Sequence, residues 1–176
     1  PGKINYGSTG AGGTLHLVVE RLMEVTGMNL THIPYKGAVQ AQTDVLGGQI
    51  DLLFDSVPSS MGMVRSGRLV ALAISTRERF GRLPNVLTVA EQGYPGFSMY
   101  GWWSLATPAG TPPAALDTIA RAFTAALGSK VVKTYFEDNA LLPVPSTREY
   151  LLGRIASEGP VYRTFLKRLN IKPQSS

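Results

Sequence analysis

Strand-like and helix-like runs alternate along the first 75 residues of the chain, and this alternation restricts its fold more than any other feature. Each apolar run is short, and a turn containing Gly or Pro separates neighbouring runs. Such β-α alternation is typical of a mainly parallel sheet with helices on both faces. We therefore predict an α/β fold. The predicted strands are residues 4–6, 28–35, 50–54 and 69–75, and the predicted helices are residues 14–25, 39–46 and 59–66.

A Gly-rich loop joins the first predicted strand to the first predicted helix and is the best candidate for a binding site. Residues 3–16 read KINYGSTGAGGTLH, so loop N–H groups and the positive end of the helix dipole point at one spot. That spot suits an anion such as a phosphate or a carboxylate. The nucleoside-triphosphate pattern fails because no Lys follows Gly12-Gly13, and the dinucleotide pattern fails because Leu15 stands where glycine is required.

A carboxylate needs only a few N–H donors and a hydroxyl, and Ser8, Thr9 and Thr14 can supply hydroxyls. The alternative is an ordinary strand–helix turn in which a Ser or Thr side chain caps the helix. The order of the elements favours binding, because ligands of parallel sheets lie beyond the carboxyl ends of the strands. Three predicted loops reach that edge, namely residues 7–14, 35–37 and 55–58.

Three further polar side chains are candidates for the site or for a structural role. Two of them, Asp55 and His16, each have two possible roles. Asp55 directly follows the apolar run of residues 52–54, so it either accepts a hydrogen bond from a ligand or a bridging water, or caps the helix region near Ser59. His16 is either a structural histidine hydrogen-bonded to the loop or a polar wall of the ligand cleft. His32 lies within a predicted strand, and we expect it to be structural.

Composition and charge exclude several classes of function. The chain has 176 residues, of which 44% are hydrophobic and 16% charged, which is enough for a core and argues against disorder. The net charge of +5 is scattered and forms no stripe with aromatic residues, so nucleic acid is not a predicted partner. The absence of cysteine excludes disulfides and thiol catalysis, and two histidines with dispersed acids predict no metal site and no cofactor.

The second part of the chain is mostly helical, and the change in composition near residues 100–110 is the predicted domain boundary. A strand is predicted over residues 98–107, in which Trp102 and Trp103 point to opposite faces, so that one belongs to the core and the other can line a cleft. Helices are predicted over residues 114–127, 130–139 and, from a Thr147 cap, to about 169, with Gly159-Pro160 kinking or breaking the last one.

Six stretches carry a family resemblance when read in order: KINYGSTGAGGTLH, THIPYKGA, LGGQIDLLFDS, SGRLVALAIST, LPNVLTVAEQGYPGF and ATPAGTP. Together they resemble the periplasmic solute-binding receptors of tripartite tricarboxylate transporters, often called Bug receptors. The resemblance implies a type II periplasmic-binding-protein-like fold, with two α/β lobes, crossing strands and a ligand in the cleft. It places residues 1–99 in the second lobe and residues 100–176 in a crossover strand and helical tail that pack on the first lobe, most of which this chain would lack.

The resemblance also implies a function. The protein is expected to bind a small carboxylated molecule without catalysis and to present it to membrane transporter subunits in the periplasm, with a signal peptide outside this chain. The sequence departs from the family pattern at four positions. Family members often have a polar side chain where Ala11, Gly13 and Leu15 stand, and often Asn where Ser56 stands. The site therefore has fewer side-chain donors than usual, but its backbone donors are unchanged. Carried onto this sequence, the ligand site comprises Ser8, Thr9, Gly10, Gly12, Gly13, Thr14, His16 and Asp55.

A ligand-sensing domain and an enzyme are the two alternative classes of protein. A ligand-sensing domain of a regulatory protein shares the binding chemistry and is the main alternative. An enzyme is not favoured, since no G-x-S-x-G elbow occurs and no second carboxylate is placed with Asp55. The apolar face of the helix over residues 114–127 would lack a partner without the first lobe, which predicts self-association of the fragment.

Overall fold

The computed structural model describes residues 3–171, which form two compact units. Within that range the first unit comprises residues 3–101 and 161–171, and the second comprises residues 102–160. The predicted division into lobes at residues 99 and 100 stays a prediction. The strands of the first unit are β1 (Ile4–Thr9), β2 (Leu30–Tyr35) and β3 (Leu52–Leu53), and its helices are α1 (Thr14–Thr26), α2 (Ala38–Leu46) and α3 (Val57–Arg65). The second unit contains α4 (Pro113–Gly128) and α5 (Lys130–Asp138). Helix α6 (Arg148–Arg168) has residues in both units.

The sheet of the first unit has the order β2-β1-β3, and both strand pairs are parallel. The register runs from Ile4 opposite Leu30 to Thr9 opposite Tyr35. Parallel pairing brings the carboxyl ends of all three strands to one edge, where the helices begin. The predicted α/β fold with a parallel sheet is therefore confirmed.

Helices α1 and α2 lie on opposite faces of this sheet. On the α1 face, Tyr6 of β1 stacks on His32 of β2, and His32 stacks on His16 of α1. On the α2 face, the Tyr35 hydroxyl donates to Asp44 Oδ2 at 2.8 Å. A Cβ at Gly7 would lie 2.6 Å from Ile50 Cδ1, so only glycine fits at that position of β1 without displacement of a neighbour.

The core of the first unit forms where α1 meets the loops that follow α3. Val18 of α1 packs with Val89 and Phe97, and Leu22, Val25, Phe54, Tyr94 and Met99 surround this cluster. Helix α1 ends at Gly27, whose φ of 71° lies in the left-handed region that favours glycine. The predicted helix over residues 14–25 is therefore confirmed to within one residue.

Two predicted strands are wrong. In residues 69–75, only Ile74 makes a bridge, to Thr88, while Val70 and Leu72 are 80% and 65% exposed. Residues 98–107 form no strand either. A strand needs a continuous neighbour for its backbone N–H and C=O groups, and among residues 3–171 these runs make isolated backbone hydrogen bonds instead. Ile74 bonds to Leu87 and Val89, Met99 N–H donates to Ser75, and Leu69 N–H donates to Met63.

A turn follows Thr88, whose N–H donates to Glu91 Oε2 and whose Oγ1 accepts a hydrogen bond from Glu91 N–H. Helix α6 continues through Pro160, so the predicted break is absent, while the alternative of a kink stays a prediction. Gly159 has no Cβ to meet the proline ring, which removes part of the usual restriction on the residue before proline.

The second unit is helical, and few of its side chains are buried. Within residues 102–160 the buried hydrophobic residues are Leu127 and Ala140. Trp102 is half-buried and its indole N–H donates to Glu158 Oε2 at 2.9 Å, whereas Trp103 is 81% exposed. No helix within the described residues has the length and apolarity needed to cross a membrane.

Candidate binding site at the carboxyl edge of the sheet

The loops that follow β1, β2 and β3 lie side by side at one edge of the sheet. Gly10 N–H in the first loop donates to the Tyr35 carbonyl at 3.0 Å, at the end of β2. On the other side of β1, Phe54 N–H donates to the Gly7 carbonyl at 3.0 Å. The predicted convergence of the three loops is therefore confirmed, and the β1–α1 loop occupies the middle.

Three helices begin at this edge, and none of the three N-termini has a side-chain cap. The N-cap residues are Gly13 for α1, Gly37 for α2 and Ser56 for α3. No acidic residue occurs in the first turn of any of these helices. First-turn N–H groups of α1 and α2 have no partner within their own helix, and the helix dipole makes each N-terminal end positive. In α3, Pro58 has no N–H and Ser59 N–H donates to the Ser56 carbonyl at 3.1 Å, which leaves Val57 N–H as the first-turn donor. The edge therefore presents backbone donors and positive potential without an internal anion in those first turns.

The β1–α1 loop turns sharply at two glycines. Gly10 and Gly12 both have a φ of 78°, which L side chains adopt only with strain. Gly13 is extended, and its carbonyl accepts a hydrogen bond from Leu17 N–H at 3.0 Å, which begins α1. A Cβ at Gly13 would lie 3.0 Å from the Thr9 carbonyl oxygen. These three glycines thus let the backbone fold tightly onto itself before the helix begins.

The hydroxyl residues predicted for the site take different positions. Thr14 is exposed at the first position of α1, and Thr9 is half-buried at the end of β1. Ser8 is fully buried, and its Oγ lies 2.8 Å from His32 Nε2. Thr14 is therefore open to solvent and Thr9 partly so, whereas the Ser8 hydroxyl is hydrogen-bonded to His32 inside the protein.

His16 lies beneath the loop rather than on its surface. Its side chain is buried, and its Nδ1 accepts a hydrogen bond from Gly12 N–H at 2.9 Å. The ring stacks on that of His32 with a centroid distance of 3.9 Å, and its Nε2 lies 3.5 Å from Glu20 Oε1. The structure thus shows a histidine bonded to the loop, one of the two interpretations left open; direct contact with a ligand stays a prediction.

Burial lowers the pKa of both histidines. For His16 desolvation outweighs the opposing effect of the Glu20 carboxylate on the pKa. Desolvation and the neighbouring His16 lower the pKa of His32 to about 4. Both imidazoles are therefore neutral near pH 7 in the folded protein.

Asp55 is half-buried and already has two donors. Its Oδ1 accepts from Ser56 N–H at 2.8 Å, and its Oδ2 accepts from Gln42 Nε2 at 2.8 Å. Gln42 also donates to Ser59 Oγ, so it ties α2 to the start of α3. No local pattern in the sequence marks Gln42, because a glutamine on a short helix is common at protein surfaces. Whether Asp55 contacts a ligand stays a prediction.

The end of α6 packs beside the loop, a contact for which the sequence carries no signal. Arg168 pairs with Glu20 Oε2 at 3.3 Å and with Glu24 Oε1 at 3.5 Å on α1. A Cβ at Gly12 would lie 3.0 Å from Ile171 Cγ2 and 3.5 Å from Leu166 Cδ2. The loop is therefore held from outside by this segment and from inside by His16.

One buried hydroxyl beside this cluster has no partner in the described part of the chain, namely that of Tyr6. Burial, together with the Glu20 carboxylate, raises the pKa of Tyr6. Across residues 3–171, no three His, Asp or Glu side chains come together as a cation site.

Comparison with known structures identifies the class of protein. A structure described as that of a periplasmic transporter shares 36% sequence identity, with a TM-score of 0.82 and coverage of 98% of this chain and 57% of its own. The R. palustris protein Rpa4515, solved with adipate, shares 27% identity, with a TM-score of 0.83 and coverage of 99% of this chain and 58% of its own. The fold is that of a periplasmic binding protein.

Sequence comparison identifies the family within that class. The family model for the tripartite tricarboxylate transporter family receptor matches residues 1–169. Protein BugT of Bordetella pertussis is 35% identical over 158 residues, which make up 90% of this chain and 48% of BugT. The chain belongs to the receptor family of the tripartite tricarboxylate transporters, which confirms the predicted family. It spans about half the length of the curated relatives it matches.

Proposed function

We propose that this chain is part of an extracytoplasmic receptor that binds a small carboxylated molecule and delivers it to a tripartite tricarboxylate-type transporter. The observation that carries this proposal is the convergence of three N-termini without side-chain caps on one edge of the sheet, around a loop with two left-handed glycines. Family membership and the adipate in Rpa4515 support the same class of ligand. The ligand site is thus proposed to comprise the β1–α1 loop and its neighbours.

The backbone at the start of α1 supplies the first hydrogen bonds to the carboxylate. The N–H groups of Thr14, Leu15 and His16 form the first turn of α1 and lack intrahelical partners. A carboxylate at a helix N-terminus gains both these hydrogen bonds and a favourable interaction with the helix dipole. The hydroxyls of Thr9 and Thr14 lie at the same loop and add donors that can rotate toward the ligand.

The rest of the site is proposed to come from the first lobe. Residues 1–99 would form the second lobe, and residues 100–176 would supply a crossing segment and helices that pack on the first lobe. The exposed apolar side chains of the second unit, among them Phe123 and Tyr135, support this division because they need a covering surface. Ligand binding would then close the two lobes, and the transporter would recognise the closed form in the periplasm.

No covalent chemistry is proposed for this site. The residues at the sheet edge offer hydrogen-bond donors and two carboxylate oxygens of Asp55 that are already engaged. Binding followed by release needs only these groups and the movement of lobes. The family match favours the receptor over the regulatory ligand-sensing domain considered as the alternative.

A pair of substitutions at Thr14 tests the site directly. Thr14 is exposed at the first position of α1, where proline is tolerated, and the extended Gly13 before it is compatible with proline. Thr14→Pro removes both the N–H and the hydroxyl, whereas Thr14→Ala removes the hydroxyl alone. Calorimetry with adipate on the full-length protein that carries this sequence should show at least about a tenfold loss for Thr14→Pro, the effect of losing a charged hydrogen bond.

Thr14→Ala is the control for that experiment and should bind adipate more tightly than Thr14→Pro. Equal affinity of Thr14→Pro and the unmodified protein would show that the α1 N-terminus is not the site. Mass spectrometry of small acids retained after gentle purification would identify the natural ligand independently.

Asp55 is proposed to make the site prefer ligands that carry an amine over ligands with a second carboxylate. With its oxygens held by Ser56 and Gln42, the carboxylate can still accept from a ligand ammonium group, but it would repel a second ligand carboxylate. Asp55→Asn should weaken binding of aspartate by about 1–3 kcal/mol and leave binding of succinate unchanged or stronger. If both affinities stay constant while the melting temperature falls, Asp55 serves only to hold α2 and α3.

A further inference from the structure

We propose that His16 and His32, stacked on each other beneath the β1–α1 loop, are positioning residues that hold the loop in its binding conformation. They are the two histidines of the chain. Their effect on ligand affinity rests on the proposed function, whereas their effect on the loop itself does not. Neither imidazole ring needs to touch the ligand.

Each imidazole makes one hydrogen bond, one to the loop itself and the other to the strand that precedes the loop. His16 Nδ1 accepts from Gly12 N–H at 2.9 Å, in the middle of the turn. His32 Nε2 lies 2.8 Å from Ser8 Oγ, on the last residues of β1. The rings are 3.9 Å apart with an angle of 13° between their planes, so movement of one ring disturbs the other. The stack thus joins the strand that enters the loop to the turn that leaves it.

The position of His16 suggests why a histidine is used. It is the third residue of α1, the place where a capping box has Glu or Gln, whose side chain reaches back to a backbone N–H. A Glu there would add a negative charge under the proposed anion site. A neutral imidazole satisfies the loop amide without that charge, so the positive potential at the helix end is kept for the ligand.

This role requires one particular protonation state. Nδ1 can accept from Gly12 N–H only when it carries no proton, so the neutral ring has its proton on Nε2, which faces Glu20. The other groups facing the pair are Tyr6 and Ser8 from β1, while Arg168 at the end of α6 pairs with Glu20. Protonation of His16 would turn its acceptor into a donor opposed to Gly12 N–H and release the turn.

The first test uses two variants with nearly the same outline. His16→Asn keeps an acceptor oxygen where Nδ1 lies, and His16→Leu replaces it with a methyl group. Amide hydrogen exchange by NMR on the full-length protein should show a slowly exchanging Gly12 N–H in the unmodified protein and in His16→Asn, and fast exchange in His16→Leu. Equally slow exchange in a folded His16→Leu, or fast exchange in His16→Asn, would overturn the proposal.

A measurement on the unmodified protein covers the case in which His16→Leu does not fold. The ¹⁵N resonances of His16 at pH 7 should show an unprotonated Nδ1 and a protonated Nε2. The opposite tautomer, or a protonated ring, would overturn the proposal because Gly12 N–H would then have no acceptor.

The second test separates this proposal from the proposed function. Calorimetry with adipate should show about a tenfold loss of affinity for His16→Leu, as expected for one hydrogen bond, and rescue in His16→Asn. Adipate affinity should also fall as the pH drops below 6.5, more steeply in the unmodified protein than in His16→Asn. Unchanged affinity in His16→Leu would contradict the role in binding. If the unmodified protein itself does not bind adipate, the proposed function fails for that probe, and the Gly12 exchange still decides the histidine proposal.

Discussion

The two units of the molecule differ in how they use apolar side chains. In the first unit, Val18, Val89 and Phe97 form a closed cluster between α1 and the loops after α3. In the second unit, amphipathic helices of similar quality leave Phe123, Val131 and Tyr135 exposed. Helical periodicity in the sequence is therefore enough to predict a helix with an apolar face. Burial of that face also needs a second apolar surface packed against it.

The polar groups follow the same division. The first unit has a connected set of polar side chains under its candidate site: Ser8, His16 and Glu20 are buried, and His32 is half-buried. The second unit has one comparable cluster, in which Trp102 and Arg154 share the carboxylate of Glu158. Buried polar groups that are hydrogen-bonded hold a single arrangement, because each lost bond leaves an unsatisfied group. The loop of the first unit is thus supported in a way that no loop within residues 102–160 is.

The largest expected effect comes from a matched pair of phenylalanines. Phe97 is 7% exposed in the first unit, and Phe123 is 44% exposed in the second. Phe97→Ala should lower the free energy of unfolding by about 3–5 kcal/mol, and Phe123→Ala by less than about 1 kcal/mol. Chemical denaturation of the 176-residue chain measures both. A cost for Phe123→Ala equal to that for Phe97→Ala would show that this face is covered, for example by self-association.

A pair of glycines within the first unit gives the next largest effect. Gly10 and Gly12 have the same φ of 78°, but only Gly12 has a neighbour in reach, Ile171, at 3.0 Å from the position of a Cβ. Gly10→Ala should cost about 1–2 kcal/mol from backbone strain, and Gly12→Ala about 1 kcal/mol more from the contact with Ile171. Thermal unfolding compares the two variants. Equal costs would mean that the end of α6 does not press on the loop.

Acidification should weaken the first unit through its histidines. The pKa of His32 is about 4 in the folded state against an ordinary value of 6.5, so between these values the unfolded chain binds more protons. The stability contribution of the neutral ring is therefore complete above pH 6.5 and is lost as the pH falls toward 4. Denaturation curves at several pH values should show this loss in the unmodified protein and a smaller one in His32→Phe. The same slope in both would assign the loss to other groups.

The smallest effect is expected at the polar cluster of the second unit. Glu158 accepts from the Trp102 indole and from Arg154 Nε, and neither carboxylate nor guanidinium is deeply buried. Glu158→Gln keeps one acceptor and should cost about 0.5–1 kcal/mol, as for a partly exposed ion pair. Tryptophan fluorescence during denaturation reports on this change. A cost of several kcal/mol would place this cluster on a level with the core of the first unit.

Local patterns in the sequence predicted most of the first unit. The spacing of apolar residues placed α1, α2 and α3 to within a few residues, and the order of elements predicted a parallel sheet with three loops at one edge. The failures are the run over residues 69–75 and the run over residues 98–107. An apolar run of strand length becomes a strand only if another strand is available for pairing, and no local pattern encodes that neighbour.

The sequence by itself determined the class of fold, the family and the Gly-rich loop, because each of these depends on residues close together in the chain. Only the tertiary structure brought His16 onto His32, Gln42 onto Asp55 and Ile171 onto Gly12. These contacts join residues from different elements, and they depend on strand register and on the way helices pack. Periodicity sets which face of an element is apolar, but packing alone decides which distant side chain meets it.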